Sequence, residues 1–221
     1  EANQLNSIEL EGLYSHFATA DEGDLSYANS QLSKFNEVVK IAKKLDIYPT
    51  FIHCSNSGAI LNVKESRFNM VRAGMLLYGA FPSDEVPQEL PIKPVMTFTA
   101  PVVEIRDVKA GTHISYGGVY TTKSDTRIAV VQAGFADGVP RPWYIDGFVK
   151  FKNQNFKITG RICMDQLMID IGSADIQYGD EVLIFGSNEH GSIDINHIAK
   201  KIDSTSYVLV TAIGIRPKRV Y

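Results

Sequence analysis

The feature that most constrains this chain is the alternation of strand and helix with which it opens. "GLYSHFATA" (12–20) reads as a strand, and the helix pattern after it carries Leu32, Phe35, Val38, Val39, Ala42 and Leu45 at three- and four-residue steps. Asp24 or Ser26 is placed to cap that helix. "YPTFIHCS" returns as a second strand, "NSGAIL" opens a short helix, and "FNMVRAGMLLYG" reads as a third strand. Repetition of this kind predicts parallel strands covered by helices. Three parallel strands leave faces and edges that need cover. Residues 1–90 are therefore expected to be the last part of a larger α/β barrel, with a small open α/β domain as the alternative.

The acidic, proline-rich "FPSDEVPQELPIKP" (81–94) ends the alternation. Residues 91–221 then read as β segments separated by Gly, Asp, Lys and Asn: "VMTFTAPVVEIRDV", "THISYGGVYTT", "TRIAVVQAGFADG", "GFVKFKNQNFKITG", "RICMDQLMIDIG" and "DEVLIFG". "VKFKNQNFKI" predicts a hairpin turning on Asn153-Gln154-Asn155. Only "SIDINHIAKKID", with Ser192 or Asp194 as cap, predicts a helix in this half. The expected fold class is α/β plus β: the C-terminal part of a (β/α)8 barrel followed by a mostly antiparallel β domain.

With 44% apolar and 21% charged residues, 221 residues suffice to bury a substantial core. A formal charge of −3 argues against a dedicated nucleic-acid surface. No apolar run reaches membrane-spanning length, and the opening residues lack the basic-then-apolar pattern of an export signal. The expectation is a cytoplasmic protein. Cys54 and Cys163 lie far apart and outside any CxxC pair, which favours two reduced thiols over a disulfide or metal role.

Several positions are candidates for chemistry, each with a plainer reading beside it. Arg72 sits among apolar neighbours, and a guanidinium is costly to desolvate without an acceptor. It is either an ion pair at a strand end or a cation at a barrel mouth, where Gly74 lets backbone approach a ligand. Asn56, Ser57 and Gly58 stand where a strand gives way to a helix, as a phosphate site or as an ordinary turn. His16 near a strand end, Tyr116 in "ISYGGVY" and the Met164-Asp165 pair in "CMDQ" are equally open to structural explanations.

The order of these motifs carries more than any one of them. "GLYSHFATADE", "HCSNSGA", "NMVRAGMLLYG", "ISYGGVYTT", "AGFADGVPR", "GRICMDQLMIDIG" and the closing "IRPKRVY" follow the sequence and rough spacing of the alanine racemase family. The chain resembles roughly the last three-fifths of such an enzyme. The family's cofactor-lysine motif, like "KANAYGHG", has no counterpart here, and its carboxylate-binding arginine falls upstream of residue 1. The resemblance therefore implies a missing N-terminal segment of the same protein and an inactive chain on its own.

The resemblance implies an isomerase that interconverts L- and D-alanine on pyridoxal 5'-phosphate by two-base proton transfer, for cell-wall synthesis, as a homodimer with shared sites. By resemblance His16 stacks over the cofactor ring and Arg72 bonds its nitrogen. Asn56, Ser57, Gly74 and Tyr207 hold the phosphate region. Tyr116 is the catalytic tyrosine, and Met164 and Asp165 approach the substrate. The β-domain residues would serve the partner subunit's cofactor. Two departures touch the entrance rather than the cofactor frame: Phe135 stands in "GFADG" where the family has Tyr, and Val-Leu-Val follows Tyr207. Relatives that accept serine tend to carry a smaller polar residue at the position of Tyr207, so its presence leans towards alanine. A basic-amino-acid decarboxylase is disfavoured because Arg72 replaces the acidic ring-nitrogen partner. A broader serine/alanine racemase and a non-catalytic cofactor-binding module remain as alternatives.

Overall fold

A computed structural model describes Leu5 and residues 7–221. The chain divides into two compact units, one running to Lys93 and the other Pro94–Tyr221.

In the first unit, β1 (Gly12–Tyr14) leads through a turn to α1 (Ser26–Lys44) and back to β2 (Phe51–His53), which pairs with β1 in parallel. α1 forms as the apolar spacing predicts, but only part of that stripe goes inside. Ala28, Leu32, Phe35 and Val39 are buried, whereas Val38 and Leu45 face solvent. Neither predicted cap closes the helix: Leu25 is the N-cap residue, and Asp24 accepts instead from the Ser26 N–H and hydroxyl in a local turn. α2 (Ser57–Asn62) is capped by Asn56, whose side-chain oxygen accepts the Ala59 N–H at 3.0 Å.

The third strand expected over "FNMVRAGMLLYG" does not form. Residues 68–73 are turn and irregular chain, with one ladder-like bond from the Arg72 N–H to the Ser55 carbonyl at 2.9 Å. The apolar run Met75-Leu76-Leu77 is instead a single helical turn, α3 (Gly74–Leu77). Four residues of continuous hydrophobicity do not distinguish a strand from a helical turn.

The second unit is built on a sheet in the order β8-β7-β10-β3-β6-β9, with β11 joined to β10. Its strands are β3 (Phe98–Val108), β6 (Thr126–Val131), β7 (Phe148–Phe151), β8 (Gln154–Lys157), β9 (Leu167–Asp170), β10 (Glu181–Asn188) and β11 (Gly191–Ile193). Every pairing in it is antiparallel. β4 (His113–Ile114) and β5 (Tyr120–Thr121) form a separate short pair. β10 lies between β7 and β3, and Val182 to Gly186 are buried without alternation because both of its faces are covered.

The β7–β8 hairpin turns on Lys152-Asn153, with φ of 47° and 63°, and not on the predicted Asn-Gln-Asn. Two consecutive positive φ values suit the right-handed twist of the flanking strands, so Gln154 and Asn155 continue as strand. α4 (Ile195–Lys201) is capped by Asp194, as the sequence allows. A second helix, α5 (Ser206–Ala212), lies over "STSYVLVTA", where no helix was predicted; β-branched Thr205, Val208, Val210 and Thr211 disguise it. Leu209 and Ile213 join Ile198 and Ala199 in the core with Trp143, Ile162, Leu167 and Ile184.

Candidate functional site

In the first unit, five of the candidate residues come together around one guanidinium. β1 and β2 end side by side, with Tyr14 opposite His53, and the chain beyond them carries Ser15-His16 and Ser55-Asn56-Ser57. Arg72 is half-buried across both ends. One terminal nitrogen donates to the Ser15 carbonyl at 2.9 Å and lies 3.0 Å from His16 Nδ1; the other lies 2.5 Å from His53 Nδ1. An arginine only donates, so both imidazoles accept through Nδ1 and carry their protons on Nε2. That assignment makes the 3.5 Å approach of Asn56 Nδ2 to His16 Nε2 a meeting of two donors, a contact rather than a hydrogen bond. These three bonds use three of the five guanidinium N–H groups, which leaves donors for a further acceptor.

His53 and Tyr14 are functional neighbours that sequence reasoning missed. Burial, followed by the Arg72 charge, pushes the His53 pKa below its ordinary value, so the ring is neutral and able to accept. Tyr14 stacks on His53 with centroids 5.5 Å apart, and the Arg72 guanidinium sits 5.7 Å from the Tyr14 ring centre. The signal was available: both are polar aromatics at the ends of consecutive parallel strands, where such strands place their site residues. Beside them, burial pushes the Cys54 thiol up to about 11, against the opposing pull of Arg72. Cys54 is a structural thiol that donates to the Ser66 carbonyl at 3.4 Å.

Ser57 is buried at the start of α2, and its hydroxyl accepts the Leu76 N–H at 3.4 Å. Gly74 opens α3 across from it. Among the described residues, a Cβ at Gly74 would meet only Ser57 Oγ, at an ordinary contact distance of 3.9 Å. The Leu76 N–H bond ties α3 to Ser57, and the Arg72 N–H bond to the Ser55 carbonyl ties the chain before α3 to the same segment.

In the second unit, Tyr116 begins a helical turn (Tyr116–Gly118) between β4 and β5 and is 68% exposed. Its predecessor Ser115 takes φ 63°, unusual for a residue with a side chain, and its hydroxyl donates to the Arg161 carbonyl at 2.6 Å. That bond ties the tyrosine's turn to the "RICMDQ" loop, which bends at Cys163 with a 2.9 Å bond to the Gln166 carbonyl. Met164 and Asp165 stand exposed on that loop. The loop rests on "GFADG": the Phe135 and Ala136 N–H groups donate to the Cys163 and Met164 carbonyls, each at 3.0 Å. Gly134 is required there, because a Cβ would lie 2.2 Å from the Met164 carbonyl oxygen. Tyr120, in the same motif as Tyr116, is engaged differently. It donates to Asp170 at 3.0 Å, and burial followed by that carboxylate raises its pKa. Tyr207 is on another element, α5, about half exposed, with its carbonyl accepting the Thr211 hydroxyl.

The alanine racemase C-terminal domain model matches residues 95–221, and the N-terminal domain model matches residues 1–82. The chain belongs to the alanine racemase family. It is 40% identical over 219 residues to an alanine racemase of Desulforamulus reducens, covering 98% of this chain and 58% of that one. An alanine racemase of Halothermothrix orenii is 40% identical over 222 residues, covering 100% of this chain and 59% of the relative. Among solved structures, the Clostridium difficile 630 alanine racemase in complex with cycloserine superposes with a TM-score of 0.91 at 39% identity, over 99% of this chain and 58% of that one. The Bartonella henselae alanine racemase with covalently bound pyridoxal phosphate gives 0.83 at 27% identity, over 96% and 57%. The chain thus spans about three-fifths of the length of the curated relatives it matches.

Proposed function

We propose that the longer protein carrying this chain racemises alanine with pyridoxal 5'-phosphate, and that this chain is its C-terminal portion. On this reading the first unit is the closing part of a (β/α)8 barrel, residues 1–90, and residues 91–221 are the β domain. The observation that carries the reading is the Arg72 guanidinium, fixed by Ser15, His16 and His53 at the adjoining ends of β1 and β2.

The donor set fits the cofactor. Ser57 Oγ and the helix-opening backbone at Gly74 are suited to phosphate oxygens, with Asn56 fixing the turn that presents the serine, and Tyr207 is given a phosphate role by resemblance alone. Arg72 is suited to the pyridine nitrogen and His16 to the ring face. When bound, pyridoxal phosphate draws electrons from the amino acid's α-carbon and acidifies its hydrogen. Arg72 would donate to the ring nitrogen without protonating it, since a guanidinium does not release its proton in the physiological range. That choice of partner limits how far negative charge is delocalised and so favours return of the proton over side reactions.

Inversion needs a proton removed from one face and another delivered to the opposite one. Tyr116 serves one face, because it is exposed and its loop is locked by Ser115. Tyr120 does not, because its proton is committed to Asp170. A lysine outside this chain serves the other face. Met164, through its N–H, meets the substrate carboxylate with Asp165 beside it, and Tyr116, Met164 and Asp165 serve the partner subunit in a homodimer.

The test is racemisation of L-alanine by the full-length protein with added cofactor, against an Arg72→Glu variant. The expected loss in kcat is about a hundredfold, while Tyr120→Phe keeps most of the activity. A full-length protein that binds the cofactor and leaves L-alanine unchanged overturns the reading.

A further inference from the structure

Three of the motifs described above meet at one side chain to which the mechanism assigns no task. Arg216, from the closing "IRPKRVY", places Nε 3.3 Å from Asp137 Oδ1 and a terminal nitrogen 2.6 Å from Asp165 Oδ1. Asp137 belongs to "GFADG" and is buried, its other oxygen accepting the Gly134 N–H at 2.9 Å. Asp165 belongs to "CMDQ", the loop whose carbonyls at Cys163 and Met164 already rest on Phe135 and Ala136. The tail is pinned a second time by Arg219, which donates to the Ile213 carbonyl at 2.9 Å.

We infer that Arg216 is a positioning residue: anchored on buried Asp137, it holds the carboxylate of Asp165 and thereby fixes the orientation of the Met164-Asp165 turn towards the substrate. The inference rests on the proposed racemase reading for what that turn meets, though not for the geometry of the clamp.

Magnitudes separate this role from a stabilising one. The Arg216 and Asp165 side chains are 48% and 57% exposed, and exposed ion pairs contribute little to folding. The loop already has its backbone bonds to residues 135 and 136, so its fold does not need the arginine. What those bonds leave free is the Asp165 side chain and the rotation of the exposed turn that carries it. A guanidinium joined to two carboxylates removes that freedom, and small errors in placing a substrate-facing group are costly in rate or affinity.

The experiment uses the full-length holoenzyme and the variants Arg216→Gln, Arg216→Lys, Asp165→Asn and the double variant Asp165→Asn/Arg216→Gln. Arg216→Gln is expected to raise KM for alanine about tenfold with kcat within about twofold, and Arg216→Lys to recover part of that loss. The double variant is expected to be no worse than the more impaired single one, since both remove the same link. Independently of turnover, amide exchange at Met164 and Asp165 should quicken several-fold in Arg216→Gln while amides of β3 and β6 stay unchanged. Unchanged KM with unchanged exchange at Met164 overturns the inference, as do additive effects in the double variant. If Arg216→Gln fails to fold, Arg216→Lys and Asp165→Asn decide by the same two readouts. If the wild-type enzyme does not racemise alanine, the functional reading fails and exchange alone decides the clamp.

Discussion

At the residue scale the site is governed by which nitrogen holds which proton. Arg72 cannot accept, so the lone pairs facing it must come from Ser15, His16 and His53. His53 is the member with the clearest titration, its pKa lowered by burial first and by the Arg72 charge second. A histidine that resists protonation in the folded state gives the unfolded state more bound protons, so stability falls as pH drops. The window opens near the unperturbed value of about 6.5 and closes once His53 itself protonates in the folded chain. Protection factors of amides along β1 and β2, which divide out the slowing of intrinsic exchange as pH drops, should therefore fall between pH 7 and pH 5. His53→Gln, which keeps an acceptor and cannot titrate, should flatten that dependence. Equal pH dependence in both proteins would mean that the imidazole is not held neutral by its surroundings.

At the element scale, α4 illustrates how local sequence and packing cooperate. Asp194 accepts the Asn196 N–H at 2.9 Å, and His197 packs its ring on Phe148, which in turn touches Trp143. Trp143 is the chain's one tryptophan and is 2% exposed, so its emission reports on this part of the core. Asp194→Ala should lower the stability of the second unit by about 1 kcal/mol, and Asp194→Asn by much less. A urea titration followed by Trp143 fluorescence measures both, and equal midpoints for the wild type and Asp194→Ala would show the cap to be idle. This helix and its cap were legible in "SIDINHIAKKID" because cap and apolar period agree. α5 was not, because its β-branched residues favour a strand locally and only burial of Leu209 and Ile213 in the core selects the helix. The hairpin was legible but its turn was displaced, since positive φ at Lys152 is a demand of strand twist and not of residue preference. The cluster of His16, Asn56, Ser57, Arg72 and Gly74 was legible as motifs. His53 and Tyr14 were visible only as polar aromatics at strand ends, and it is the parallel register that sets them side by side.

At the scale of the whole molecule the two units differ in how completely each covers itself. The second joins a sheet whose central strand is buried on both faces to a core that runs from Phe98 to Ile213. The first has a two-stranded parallel sheet and a short buried list, from Phe17 to Val63. Its helix α1 shows Val38, Ile41 and Leu45 to solvent, with Tyr48 beyond it, at steps that form a second apolar stripe. An apolar cleft lined by Leu13, Val39, Ile47, Pro49 and Ile52 lies between that helix and the strands. Two strands with a helix on them are close to the lower limit of independent stability, because the apolar area they bury barely offsets the entropy of ordering them. Contiguous exposed apolar surface of this kind marks a face built to be covered, as the closing part of a barrel would be by its earlier strands. Limited proteolysis of the 221-residue chain should therefore cut first within the first unit and leave a resistant fragment beginning near Pro94. If the proposed reading holds, adding the N-terminal part of a family relative should slow those first cuts severalfold and leave the rate of digestion of the second unit unchanged. Cleavage that begins instead in β3–β11, or first-unit cuts indifferent to the added segment, would mean that this unit is complete as it stands and that its apolar stripe serves another end.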